Sequence, residues 1–60
     1  MSKLTKYREK LNLTQGELSE KSGVSVRTIQ RIEAGATPKG HSLNVLSKVL
    51  NASKEQLIRR

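Results

Sequence analysis

Ser2, Thr14, Ser25, Ser42 and Ser53 each stand at the head of a short segment whose apolar residues are spaced for a helix. Serine and threonine favour that place because the side-chain oxygen accepts an N–H of the first turn, which would otherwise lack a partner. Apolar residues three or four positions apart then gather on one face of the helix. Caps rather than linkers punctuate this chain, and no strand-like alternation or internal repeat occurs in it. The pattern predicts an all-α fold of five short helices with brief connections.

A first helix is expected from Ser2 to about Asn12, with Leu4, Tyr7 or Arg8, and Leu11 along its thin apolar stripe. Thr14-Gln15-Gly16-Glu17 fits a capping box, so a second helix opens there and closes near Ser22-Gly23, where glycine can adopt a left-handed backbone. Ser25 caps a third helix through Val26, Ile29 and Ile32 to Ala34, with Gly35 as its stop. Pro38 and the glycines on either side mark Gly35 to Gly40 as a loop, and Ser42 is expected to cap the fourth helix. Leu43, Leu46, Val49 and Leu50 form one stripe, which makes this the central core helix. Asn51-Ala52 breaks it, and Ser53-Lys54-Glu55-Gln56 is a second capping box ahead of Leu57 and Ile58.

Sixty residues without a cysteine must fold by packing alone, as a single domain expected over residues 1–60. A core that small contributes only about 3–5 kcal/mol, which argues against an enzyme with a substrate cavity of its own. Apolar residues never run beyond two in a row, so no segment approaches the roughly 20 needed to cross a bilayer. No apolar stretch follows the basic N-terminus, so a secretory leader is not expected and a cytoplasmic, nucleoid-associated location is.

Twelve Lys and Arg against five Asp and Glu leave a net charge of +7 and point to an anionic partner. Tyr7 is the only aromatic residue. Binders of single strands and most RNA modules stack bases on several aromatics, and a membrane-surface helix needs Trp or Phe beside its basic face. This chain lacks both features.

Gln15 to Ala34 has the form of a helix-turn-helix, two short capped helices joined at a glycine. With Ile29 at 0° on a helical wheel, Ile32 falls at about 300°, Arg27 at about 160° and Arg31 at about 200°. Both arginines therefore point away from the core. Placing them four apart near a helix start costs about 0.2–0.5 kcal/mol in like-charge repulsion, besides opposing the helix dipole, and a bound anion reverses both. The arginine fork also matches guanine O6 and N7 in the major groove.

The segment LNLTQGELSEKSGVSVRTIQRIEAG, Leu11 to Gly35, resembles the phage-repressor and Cro type of helix-turn-helix, the xenobiotic-response-element family. The likeness continues through LNVLSKVLNASKEQLI, Leu43 to Ile58. Leu18, Val24, Ile29, Ile32 and Gly23 match the family's packing and turn positions, while Ser19 and Ser22 depart from its usual alanine and larger apolar residue. The resemblance implies a compact five-helix, lambda-repressor-like domain in which helices 2 and 3 form the motif. It also implies a DNA-binding transcriptional regulator, a repressor acting without a cofactor; since one recognition helix reads few bases, a homodimer on a palindromic operator is expected.

Carried over by position, Arg27, Arg31 and Val26 read bases, with Thr28 and Gln30 as flanking base contacts and Ser25 beside them on the backbone. Val26, at about 60° on the wheel, either touches a thymine methyl or completes the core, and Gln30, at about 100°, either reaches adenine or is solvated. Thr14 and Gln15 match the positions that hold a phosphate at the start of the second helix. Lys39, Gly40 and His41 resemble a second phosphate clamp, to which Lys6 contributes from the first helix. Glu33, on the inward side of its helix, has Arg8 as the partner for an ion pair of the kind the family buries.

Rival chemistries find little support. GATPKGHS, Gly35 to Ser42, nearly spells a phosphate-cradling loop, but His41 replaces its lysine and no strand precedes it. His41 alone cannot bind a structural metal, and Glu17 and Glu20, the one close carboxylate pair, lie on a polar face without a nucleophile. The competing non-enzyme hypothesis is a helical protein-interaction module, such as an antitoxin that binds a toxin partner.

Overall fold

Local signals set nearly every helix boundary. The computed structural model describes residues 2–58. It contains α1 (Lys3–Lys10), α2 (Gln15–Ser22), α3 (Val26–Glu33), α4 (Gly40–Leu50) and α5 (Lys54–Ile58), with no strand among the described residues. Met1, Arg59 and Arg60, which the expected domain includes, lie outside them.

Ser2, Thr14 and Ser25 each accept the main-chain N–H three residues on and open α1, α2 and α3. Ser53 and Gln56 exchange the two bonds of a capping box ahead of α5. Three helix ends share another device, in which the N–H of the residue after a turn reaches back five positions. The bonds are Leu13 to the Arg8 carbonyl, Ala36 to that of Arg31 and Ala52 to that of Ser47. Gly35 makes the turn after α3, whereas Asn12 (φ 58°) and Asn51 (φ 53°) make it after α1 and α4. Asparagine tolerates the left-handed region better than other residues with a Cβ.

Two expectations are corrected here. The first helix ends at Lys10, and Leu11, at the cap position beyond its end, is 46% exposed, while the asparagine turn that follows sends Leu13 inward instead. The fourth helix begins at Gly40, so Ser42 lies inside its first turn, and Lys39, which has no side-chain acceptor, occupies the cap position. Pro38 is buried, and Gly40 at φ 62° lets the chain enter the helix two residues ahead of the serine.

Leu4, Leu18, Ile29 and Leu46 are almost wholly buried, and Val24, Ile32, Leu50, Ala52 and Leu57 close around them. Each fully buried leucine or isoleucine contributes about 1.5–3 kcal/mol relative to exposure. Helix α2 packs on α3 and α4, α4 on α5, and α1 on α3 and α5. The core thus grips α3 from its inner face and leaves its outer face clear.

Candidate nucleic-acid interface

Alternation between burial and exposure along eight residues makes α3 the presenting helix. Ile29 is fully buried and Ile32 is 5% exposed, while Arg27 and Arg31 are both exposed on the opposite side. Val26 is 37% exposed, so part of its surface faces outward while the rest packs. Thr28 is half-buried, and its hydroxyl lies 2.9 Å from that of Ser25, whose oxygen also accepts the Thr28 N–H at 3.2 Å. Ser25 is exposed at the head of the helix. Gln30 is exposed as well, but its Nε2 donates to Gln15 Oε1 at 3.3 Å.

The start of α2 stands beside this face. Thr14 Oγ1 accepts the Glu17 N–H at 3.0 Å, and Glu17 Oε1 accepts the Thr14 N–H at 2.8 Å. The main-chain and hydroxyl bonds to Thr14, helped by the charge of Lys21, hold the Glu17 carboxyl below the usual glutamate range despite a small opposing cost of burial. Gln15 is half-buried, and its Nε2 donates to Glu33 Oε1 at 3.0 Å.

Glu33 gathers three elements. Arg8 Nε donates to Glu33 Oε2 at 2.7 Å, Arg8 Nη2 to Oε1 at 3.3 Å, and Arg8 Nη1 to the Leu13 carbonyl at 2.7 Å. Burial pushes the Glu33 carboxyl up. Hydrogen bonds from Arg8 and Gln15 and the arginine charge outweigh it, so the group stays ionised below its usual range. The same bond to Glu33, partly offset by burial, raises the pKa of Arg8. The bonds that Gln15 and Gln30 donate into this cluster had no signal in sequence spacing, because they join positions that only the fold brings together.

Between α3 and the loop that follows it, a cleft of about 170 Å³ is lined by Thr28, Arg31, Thr37, Lys39 and Ser42, among others. It sets a cation from α3 and a cation from the loop around three hydroxyls. Lys39, Gly40 and His41 are exposed, and no side chain caps the helix they lead into. Lys6 is exposed on α1. Ser22, a departure from the family pattern, donates to the Leu18 carbonyl at 2.7 Å and accepts the Val24 N–H at 3.1 Å. Its hydroxyl closes the turn by hydrogen bonding where a larger apolar residue would act by packing.

Gly23, at φ 77°, and the two residues after it connect α2 to α3, both of eight residues, with α3 turned outward on the pair. The family model described as helix-turn-helix matches residues 4–57. The chain belongs to that family, in its phage-repressor and Cro form. The helix-turn-helix spans helices α2 and α3, and the family is one of DNA-binding transcription regulators, which makes DNA the partner of this helix-turn-helix domain. Comparison with curated proteins and with solved structures found no match. Among the described residues no helix is long and apolar enough to cross a membrane, and no three His, Cys, Asp or Glu side chains are gathered as metal ligands.

Proposed function

We propose that the chain is a transcriptional repressor that lays α3 in the major groove of double-stranded DNA, with residues 1–60 acting as one domain around the motif at 15–34. The observation that carries this reading is the outward placement of Arg27 and Arg31 on a helix whose other side is locked into the core by Ile29 and Ile32. Two guanidinium forks on a rigid element suit guanine edges, and the exposed Val26 suits a thymine methyl. Thr28 and Gln30 flank them. Lys39, Gly40 and His41 at the start of α4, Thr14 and Gln15 at the start of α2, and Ser25 and Lys6 nearby supply the backbone contacts that set register without reading sequence.

One such helix reads few bases, so specific binding requires two copies on half-sites about 34–36 Å apart. The operator is then palindromic and the protein a homodimer on DNA, in the compartment that holds the chromosome. Selection of binding sites from a random duplex pool tests this directly. The expected result is a two-fold symmetric, guanine-containing consensus, with affinity falling as salt rises by a slope of about −0.9 per phosphate neutralised. Absent or salt-insensitive duplex binding overturns the reading and turns attention to a protein partner such as a toxin.

A further inference from the structure

Three side chains form a directed relay between the two helices of the motif. Gln30 Nε2 on α3 donates to Gln15 Oε1 on α2, Gln15 Nε2 donates to Glu33 Oε1 back on α3, and Arg8 holds Glu33 from α1. Each link fixes the next. Glu33 is ionised and accepts only, so it draws the Gln15 nitrogen inward, which turns the Gln15 oxygen toward the Gln30 nitrogen. The bonds span the first residue of α2 and the last turn of α3, so they tie α3 to the helix end beside it.

Resting on the DNA-binding reading above, we propose that Gln30 is a positioning residue, which acts on sequence discrimination through Gln15 rather than by touching a base itself. A planar arginine fork discriminates only when it meets the base edge in register, and tolerances on such sites are about half an ångström. A bond that ties α3 to the start of α2 holds Arg27 and Arg31 in that register against the backbone contacts at Thr14 and Gln15. Burial of Ile29 and Ile32 secures one face of the helix in the core, and the bonds from Gln30 to Gln15 and from Gln15 to Glu33 add a polar tie on its flank. Gln30 is exposed, so its removal leaves the core intact.

The test compares the unaltered chain with Gln30→Ala, Gln15→Ala and the double variant, on the duplex chosen from the random pool and on scrambled duplex, with thermal midpoints measured alongside. For Gln30→Ala the expected result is a thermal midpoint within a few degrees of the parent and a loss of about tenfold in preference for the chosen site. That loss is spread over several base pairs, and the double variant is no worse than Gln15→Ala. A loss confined to one base pair overturns the proposal and makes Gln30 a base reader. An unchanged preference, or losses that multiply in the double variant, overturns it too, leaving the DNA-binding reading intact. Failure of the unaltered chain to bind any duplex overturns both.

Discussion

Arg8 Nε lies 2.7 Å from Glu33 Oε2, an ion pair that joins α1 to the end of α3 across 25 positions of sequence. Both side chains are mostly shielded, at 13% and 10% exposure. Shielding makes the pair costly to break from one side, because the survivor keeps its desolvation cost without a partner. Arg8→Met should lower unfolding free energy by about 3 kcal/mol, a large part of what a domain this small possesses. Urea denaturation followed by circular dichroism measures it, and a midpoint unchanged from the parent would remove the pair from the account of stability.

Acid should weaken the fold through the same carboxylate. The folded-state pKa of Glu33 lies below its unfolded value of about 4.3, so its contribution is fully present above that pH. It is lost as pH falls through the lower folded value. Glu17, also depressed by its bonds to Thr14, acts in the same direction. Denaturation midpoints should hold from pH 7 to about pH 5 and decline below it, and Glu33→Gln should flatten that decline while starting from a lower midpoint. A parallel decline in the variant would assign the acid sensitivity elsewhere.

Base reading and backbone holding separate by substitution. Arg31→Ala should cost about 1–3 kcal/mol on the preferred duplex and relax preference at one base pair. Lys39→Ala should weaken every duplex alike and reduce the salt slope by about one. Equal losses on preferred and random DNA for both variants would contradict these roles.

Gly16 sits in the first turn of α2, where a Cβ would meet only Thr14 Oγ1, at 3.9 Å. Its backbone has no left-handed requirement. Gly16→Ala should therefore stabilise the protein by about 0.5–1 kcal/mol, through the lower conformational entropy of the unfolded chain. A lower thermal midpoint would show that the helix start is tighter than its contacts indicate.

Asn51 closes α4 at φ 53° and leads into the buried Ala52. Asn51→Ala should cost about 1 kcal/mol, since an ordinary side chain is strained in that region, whereas Asn51→Gly should be neutral or better. Paired thermal melts of the two variants check the order, and an alanine variant as stable as the glycine one would refute the strain argument.

Much of this fold was legible before any coordinates, and the reason is local. A serine or threonine three residues ahead of the amide it caps, or a glycine at a left-handed position, depends on neighbours within one turn. The start of α4 escaped because its cap position is lysine, and the entry angle is set by the buried Pro38 and by Gly40 rather than by a polar oxygen. Leu11 escaped because periodicity extends a helical stripe past its end without sensing the turn at Asn12.

The sequence alone determined the number of helices, most of their ends and the outward side of α3, since each follows from contacts a few residues long and from apolar periodicity. Tertiary structure alone decided which further partners Gln15, Gln30 and the Arg8 guanidinium take around the motif. Gln15, read as a phosphate contact, also carries Glu33 and Gln30, and the Arg8 guanidinium holds the Leu13 carbonyl as well as Glu33. Those partners are chosen by packing, because an amide or a guanidinium bonds to whatever acceptor the folded core brings within about 3 Å, and sequence separation carries no record of that distance.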